Sequence, residues 1–418
     1  MSDEKRYEGR LRFGVVGILG YSRSHIGQIR SAQEAGQPVK LAAVLAYMRE
    51  KNEKLAAELE AGGVKLVAGY DELLGMKDEL DCITLPVGIP LHASMGIKAL
   101  EAGFPVYLEK PVSGAIQDAD ALAGAEKESG KKLFIGYQLC FQPATWELKR
   151  RLLAGDVGKI RKIVVVTNTP RDRDYFRRNS WAGKLSINGT IVLDSPLNNA
   201  NAHYMNLALF LAGRENDGSA SPLSVQAELY MANEIESADT VSVRVMTEES
   251  AEIVWTGSHA CENTRGPRIR IEGDRKVISV DYTGPSRNVP WREGFSADGE
   301  IFLEDNMGSA NPFVQVARWL KGDKDARICD LKIARAQTLV VNGAHKAASV
   351  VKITDAHIKE IKRENGEVLV SIKGMDKALD ACYEKGCMLS ECGCAPWSVS
   401  PASADVSNLK HFDLRSSK

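Results

Sequence analysis

Lys110 stands in the run VYLEKP (106–111), at the end of an apolar, strand-like stretch and directly before a proline. Lysine is seldom placed in a core without a partner, and a following proline holds it in extended geometry. At the carboxyl end of a parallel strand its ammonium projects into the crevice where such sheets hold ligands; a surface lysine in a turn is the plainer reading. Pro111 also admits a cis peptide bond. Glu109 is a candidate partner, although adjacent strand residues point to opposite faces. A second stretch, GVVGILGYSRSH (14–25), runs strand, glycine turn, helix start, the order of a dinucleotide phosphate loop. Leu19 and Ser22 occupy the places of that loop's second and third glycines. Leu19 narrows the backbone's approach to a pyrophosphate, and Gly20 returns flexibility one residue later. Ser22, Ser24 and Arg23 offer hydroxyls and charge. An altered cofactor loop and an ordinary α/β turn both fit. Gly17, Leu19, Gly20, Ser22, Arg23 and His25 are the candidate contacts.

The next apolar run ends VLAYMR (44–49). Ala46 stands where a carboxylate usually holds the adenosine ribose. Without that acid nothing repels a ribose 2′-phosphate, and Arg49 can pair with one. This leans towards NADP over NAD; a solvated arginine at a helix start is the alternative. RDRDYFRRNSW (171–181) packs four arginines into eight residues. A carboxylate or phosphorylated sugar suits such a cluster, and so does a solvated loop with local Asp–Arg pairs. If the loop lines a pocket, Arg171, Tyr175, Asn179 and Trp181 are its contacts, since Tyr and Trp faces pack on sugar rings. DACYEKGCMLSECGCAPW (380–397) holds four cysteines spaced by five, five and two residues. Paired C-x-x-C units and a nearby histidine are missing, so reduced thiols are expected and a metal is not.

These residues need elements to hold them. Apolar runs at 11–19, 39–47, 64–70, 80–86, 104–111 and 131–138 alternate with helical stretches at 25–36, 50–63, 91–103 and 116–130. The rhythm predicts βαβ units and a parallel sheet buried on both faces. Beyond residue 150 strand-like runs follow one another: KIRKIVVVTNT, PLSVQAELYM, DTVSVRVMT, SAEIVWTGS, PRIRIEG and KVISVDYTG. Alternation such as VSVRV suits a sheet with one wetter face. Helical stretches at 311–322 and 330–351 follow, with Asp330 as N-cap of the second. The polar stretch SVSPASADVSN (398–408) is expected to wrap over the second domain.

A length of 418 residues predicts two domains. A net charge of −1 argues against a nucleic-acid partner. No apolar run approaches the roughly 18–20 residues that cross a bilayer, so no membrane partner is expected. The charged start, MSDEKRYEGR, lacks the apolar core of a secretory signal. A cytoplasmic protein with reduced thiols is the expectation.

The run ALEAGFPVYLEKP (99–111) resembles the A-L-x-A-G-x-x-V-x-x-E-K-P signature of the glucose–fructose oxidoreductase/inositol dehydrogenase/MocA family. LDCITLP…H (80–92), GYQLCFQP (136–143), ELKRRLLAGDVGKIRKI (147–163) and GTIVLDSPLNNANAHYMNLALFLAG (189–213) extend the likeness from about Arg12 to about Ser349. The resemblance implies a fold of mixed α/β and α+β class. An N-terminal Rossmann domain (1–138), with a doubly wound parallel sheet, precedes a substrate-binding and oligomerisation domain (139–375) built on a large, mostly antiparallel sheet. A C-terminal helix and tail (376–418) pack on the domains. It further implies a nicotinamide-dependent oxidoreductase, moving a hydride between NAD or NADP and a carbinol or ketone of a sugar, sugar acid or cyclitol. A homodimer or homotetramer is implied as well.

In this family the lysine of the EKP run and a histidine on a second-domain helix share the proton transfer, with an acid one turn before the histidine. The matching positions are Lys110, His203 and Asn199. Asn199 and His203 are four apart and would share a helix face. Asparagine takes no proton but can orient an imidazole. DSPLNN (194–199) is longer than the usual turn, which makes Asp194 the candidate for the missing carboxylate. Pro86, His92 and Glu109 join the implied cofactor contacts, and Gln138 and Asn198 the substrate contacts. Cys140, where the family often carries arginine, is a packing residue. Two other functions stay open. One is an NAD-retaining glycosidase or lyase that oxidises its substrate transiently. The other is a non-catalytic cofactor-binding sensor, which the altered loop, Ala46 and Asn199 favour.

Overall fold

The structure, a computed structural model, describes residues 9–281, 292–296, 300–304 and 311–414. Its chain divides into two units. Of the described residues, those in Met1–Ser113, Asp118–Thr145 and Asn306–Leu331 make the first, and those in Gly114–Gln117, Trp146–Asp305 and Lys332–Lys418 make the second. The two units therefore interleave along the chain, unlike a division at residues 138 and 375. Residues 114–117 count with the second unit because the buried Asn342 amide binds them. It accepts from the Ile116 N–H (2.7 Å) and donates to the Gly114 carbonyl (2.8 Å).

In the first unit the apolar runs become β1 (Leu11–Val16), β2 (Val39–Leu45), β3 (Lys65–Val67), β4 (Cys82–Leu85), β5 (Val106–Leu108) and β6 (Leu133–Ile135). Between them lie α1 (Ser22–Glu34), α2 (Glu53–Ala61), α3 (Tyr70–Gly75), α4 (His92–Glu101) and α5 (Ile116–Ser129). The strands pair in parallel in the order β3-β2-β1-β4-β5-β6. Phe13, Val15, Ile83, Val106 and Leu108 are fully buried, as expected for a parallel sheet covered on both faces. A late segment returns to this unit. Phe313 stacks edge-on with Phe13 at 5.5 Å and lies 5.0 Å from Tyr107. The Ile135 N–H donates to the Cys329 carbonyl at 2.8 Å.

The second unit follows α6 (Pro143–Leu153). Its elements are β7 (Ile160–Asn168), α7 (Arg173–Arg177), β8 (Ser186–Ile187), β9 (Thr190–Ile191), α8 (Ala202–Ala212), β10 (Pro222–Met231), β11 (Thr240–Thr247) and β12 (Glu252–Ser258). β13 (Arg265–Gly273), β14 (Val277–Asp281), β15 (Arg292–Ser296) and β16 (Glu300–Glu304) come next. The helix α9 (Pro312–Leu320), which carries Phe313, precedes α10 (Leu331–Ala347), β17 (Val350–Lys352), β18 (Ile358–Lys362), β19 (Val368–Ile372), α11 (Met375–Lys385) and β20 (Ala402–Asp405). Ten strands form one sheet, ordered β16-β15-β14-β13-β7-β12-β11-β10-β17, with β20 also on β10. Most neighbours are antiparallel; β7–β12 and β10–β17 are parallel.

The sheet's middle is not one-sided. On β7, Val164 and Val166 join a core with Leu379, Cys382, Leu389 and Cys392 of the C-terminal segment. Ile163 and Val165 are equally buried and must point the other way, where α8 packs. The C-terminal tail contributes a strand that alternation did not announce: β20 pairs with β10 from Ser224↔Asp405 to Ala227↔Ala402. Asp330 precedes α10 but binds Lys132 at 2.6 Å.

The helix α8 is held at its far end by a lysine the sequence had not singled out. Lys149 on α6 is fully buried, and its ammonium donates to the carbonyls of Phe210 and Gly213. A cation there neutralises carbonyls that a helix end leaves unpaired. Lys149→Met keeps the volume but strands those carbonyls. It should lower stability by about 2–4 kcal/mol, read as an earlier urea midpoint.

Candidate active site

The glycine turn sits at the carboxyl end of β1. Gly17 has φ +99° and Gly20 φ +59°, conformations that favour glycine. The Gly17 N–H donates to the Leu45 carbonyl at 3.0 Å, and Asn52 donates to the Ile18 carbonyl at 3.1 Å, so the second βα unit pins the turn. A Cβ at Gly17 would fall 2.5 Å from the Ser22 hydroxyl. Leu19 is half-buried, while Gly20, Tyr21 and Arg23 are exposed at the start of α1. The expectation that Ser22 offers its hydroxyl to a phosphate needs correction. That side chain is 3% exposed and donates back to the Val16 carbonyl at 3.0 Å.

His25 and His92, expected at the cofactor, lie inside the fold as well. His25 reaches Glu109 through Nε2 (2.9 Å) and Thr84 through Nδ1 (3.3 Å). His92 lies 2.7 Å from the Pro111 carbonyl through Nδ1 and 3.1 Å from the Val87 carbonyl through Nε2. Burial pushes the His92 pKa down, against the two carbonyls that its ring nitrogens face. Pro86 is buried at the end of β4. His25 is thus engaged with two side chains and His92 with two backbone carbonyls.

Lys110 follows β5 and is half-buried, and the Lys110–Pro111 bond is cis. Its own N–H donates to Glu109 Oε2 at 3.2 Å. The Glu109 carboxylate therefore joins α1, through His25, to the backbone that presents Lys110. Sequence alternation had placed Glu109 and Lys110 on opposite faces, and a backbone contact is what that geometry permits. Gln138 donates to the Tyr21 hydroxyl at 2.7 Å, which ties it to the glycine turn of the same unit. Arg49 makes a paired contact with Glu60, at 2.9 and 2.7 Å, and both side chains are exposed.

In the second unit α8 begins at Ala202, so His203 stands in its first turn and Asn199 in the turn before it. The two are not on one helix, as their spacing had suggested. Pro196 opens that turn, where its missing N–H is not needed, and its carbonyl accepts from the Asn201 N–H at 2.9 Å. Asp194, nearly buried, accepts from Asn199 Nδ2 at 2.8 Å and from the Gly183 N–H at 2.7 Å. Arg178 Nη2 lies 3.7 Å from Oδ2, the oxygen that accepts from Gly183. Asn198, expected at the substrate, is fully buried and donates to the Val192 carbonyl at 2.9 Å. Cys140 is buried, too.

The arginine-rich loop sorts itself. Arg173 pairs with Glu360, and Arg177 lies 4.0 Å from Asp174, both at the surface. Arg171 and Arg178 instead stand over the Tyr175 ring, at 4.7 and 3.8 Å from its centre. Trp181 lies 5.3 Å from the Arg178 guanidinium. Asn179 spends its carbonyl on the N–H groups of Trp181 (3.1 Å) and Ala182 (2.8 Å). Behind Tyr175 lies His259, which the sequence had not flagged because its run, SAEIVWTGSHA, reads as plain strand. Burial, then the charge of Arg171, push its pKa down to about 3. Among the described residues, no three His, Cys, Asp or Glu side chains are grouped to hold a metal ion. No described helix is long and apolar enough to cross a membrane.

A six-stranded parallel sheet in this order, entered through a positive-φ glycine turn, is the nucleotide-binding Rossmann class. The sequence then specifies the family. Residues 11–137 match the oxidoreductase family model with an NAD-binding Rossmann fold, GFO_IDH_MocA, and residues 145–279 match the GFO/IDH/MocA C-terminal domain. The chain belongs to this family and is an oxidoreductase. It is 26% identical over 357 residues to dTDP-3,4-didehydro-2,6-dideoxy-alpha-D-glucose 3-reductase of Streptomyces violaceoruber, covering 82% of this chain and 97% of that one. It is 27% identical over 308 residues to the myo-inositol dehydrogenase Hyg17 of Streptomyces leeuwenhoekii, covering 68% and 86%. Its fold is similar to that of the WlbA dehydrogenase of Bordetella pertussis, solved with NADH and UDP-GlcNAcA (TM-score 0.64, 23% identity, 81% and 96% covered). It is also similar to KijD10, a 3-ketoreductase of Actinomadura kijaniata solved with NADP (TM-score 0.66, 18% identity, 83% and 100% covered). The glycosidase or lyase reading and the sensor reading find no support among these relatives.

The buried histidines predict an acid-sensitive fold. Unfolded, each takes a proton near pH 6.5; folded, His259 waits until about 3 and His345 until about 4. Below pH 6.5 the unfolded state binds more protons, so stability falls as pH falls, by up to about 1.4 kcal/mol per pH unit per histidine. Urea midpoints at pH 7, 5.5 and 4.5 should fall steadily, and His259→Gln should make the fall shallower.

Proposed function

We propose that this oxidoreductase interconverts a carbinol and a ketone of a sugar or cyclitol, using a nicotinamide dinucleotide held by its first unit. Lys110 carries the reading: it leaves the carboxyl end of β5 with its backbone fixed by Glu109, the end where open parallel sheets place their ligands. The glycine turn fits the cofactor. At Gly17 only the absence of a Cβ leaves room beside Ser22. Gly20 and Arg23 are exposed at the amino end of a thirteen-residue helix, whose N–H groups and dipole suit a pyrophosphate. When bound there, the nicotinamide supplies the hydride acceptor, or the donor in the reverse direction. Lys110 steadies the carbinol oxygen as charge develops on it. His203 takes the hydroxyl proton. Asn199, tied to the Asp194 carboxylate, orients the imidazole and supplies part of the family's missing acid. Tyr175 and Trp181 offer ring faces to the substrate, and Gln138 an amide.

NADP is the cofactor we favour. Ala46 puts no acid at the ribose, and the exposed Arg49–Glu60 pair is worth at most about 1 kcal/mol, so Arg49 can exchange Glu60 for a 2′-phosphate. The eight cysteines are all free thiols, which suits a cytoplasmic enzyme. A homodimer or homotetramer remains our reading of assembly, and light scattering at micromolar concentration measures it.

Native mass spectrometry with added NAD(H) and NADP(H) tests the cofactor directly, and no binding at millimolar concentration would remove the enzyme reading. Gly17→Ala should weaken the dinucleotide at least about tenfold. Arg49→Gln should raise the NADPH Kd about tenfold and leave that of NADH unchanged. Lys110→Met should lower kcat by about 10²–10⁴ while the dinucleotide Kd stays within about threefold.

A further inference from the structure

Three thiols of the C-terminal segment converge. α11 ends at Gly386, which takes the left-handed region (φ +60°), and the Cys387 N–H donates back to the Cys382 carbonyl at 3.2 Å. That closure folds the residue after the glycine onto the helix's last turn, so the side chains of Cys387 and Cys382 meet. The Cys382 thiol is hydrogen-bonded with those of both Cys387 and Cys392. The three differ in access. Cys382 and Cys392 are fully buried and Cys387 is half-buried, so a reagent in water reaches Cys387 first. Three thiols would suit a soft metal, but among the described residues no such group is placed to hold one. What two free thiols in contact can do is close a disulfide. Burial pushes the Cys387 thiol up, and Cys392 and Glu391 push the same way; the Lys385 ammonium and the Cys382 thiol pull it down. The thiolate is the nucleophile, so its oxidation is slow at neutral pH and quickens as the pH rises.

We propose that Cys387 and Cys382 form a dithiol site that hydrogen peroxide oxidises to a disulfide. The Cys387 sulfur attacks one peroxide oxygen, the O–O bond breaks, and Cys387 becomes a sulfenic acid as one water leaves. The Cys382 sulfur then attacks the Cys387 sulfur. The S–S bond forms, the S–O bond breaks, and a second water leaves with the Cys382 proton. Two thiols lose two electrons, and one peroxide takes them. The bond ties α11, which packs on β7, to the turn that follows it. That turn is already seated on the large sheet. The Ser390 hydroxyl donates to Glu228 at 2.7 Å, and Arg244 forks onto Glu391 at 2.8 and 2.6 Å. Oxidation therefore locks the C-terminal segment in place. The dithiol contains no residue assigned to hydride transfer, so the proposal stands apart from the choice of substrate and cofactor.

The test uses the reduced full chain, treated with millimolar hydrogen peroxide at pH 8 and then capped with N-ethylmaleimide while folded. Trypsin and a glutamate-specific protease cut after Lys385 and Glu391, which separates Cys382, Cys387 and Cys392 onto three peptides. Mass spectrometry of the native sequence thus names the partner without any variant. The expected product links the peptide of Cys382 to the 386–391 peptide and is two hydrogens lighter than the reduced pair. Dithiothreitol should reverse it. Cys392→Ser and Cys394→Ser should keep the link, and Cys387→Ser should abolish it. The oxidised chain should melt about 2–5 °C higher, a gain that Cys387→Ser lacks. A link from Cys382 to the peptide beyond Glu391 overturns the assignment. So does a Cys387 that passes to sulfinic acid with Cys382 still capped, or a chain in which both thiols stay reduced.

Discussion

A carboxylate taken out of water must be partnered, and Glu109, 6% exposed, sets the terms for the first unit. One oxygen meets His25 on α1, and the other meets the backbone N–H of Lys110. Gly136, at the end of β6, leaves the space: a Cβ there would lie 2.9 Å from Glu109 Oε1. One buried acid thus connects the helix entered from the glycine turn, the strand that ends in the lysine, and the neighbouring strand. The helix entered from the glycine turn and the backbone that presents the lysine are fixed to a common point, a preorganisation of the kind that hydride transfer demands.

Asp194 has the corresponding place in the second unit. It is a nearly buried carboxylate that arrives from a loop ahead of the helix that carries the histidine. Its oxygens are occupied by a backbone N–H and the Asn199 amide. The amide takes its orientation from this acid. The late start of α8 makes this possible, because the residues 194–201 are free to fold as turns. At the other end Lys149 holds the helix by its carbonyls.

The large sheet also carries more than the site. α8 covers one side of β7, and the C-terminal segment covers the other with Leu379, Cys382, Leu389 and Cys392. The clustered cysteines find their explanation in packing: Cys382 and Cys392 are fully buried, and burial raises the Cys382 pKa. A covered face is closed to another copy of the chain at that place, so any assembly must use other parts of the unit.

The sequence by itself determined the sheet classes, through continuous apolar runs in one region and alternating ones in the other. It also marked Gly17, Lys110 and His203, because a positive-φ turn, a strand-end lysine and the helix motif around the histidine each leave a local pattern. The tertiary structure decided the rest. Ser22 and His25 were candidate ligand contacts from the glycine-turn run and His92 from the family resemblance, but all three are buried on partners 6, 84 and 19 residues away along the chain. The split of the arginine loop into paired surface residues and a stack on Tyr175 was equally invisible, because it depends on Glu360 and on His259 behind the ring. So was the return of residues 311–331 to the first unit. Local patterns are written by the residue and its neighbours; which polar groups are buried, and against what, is settled only when distant segments meet.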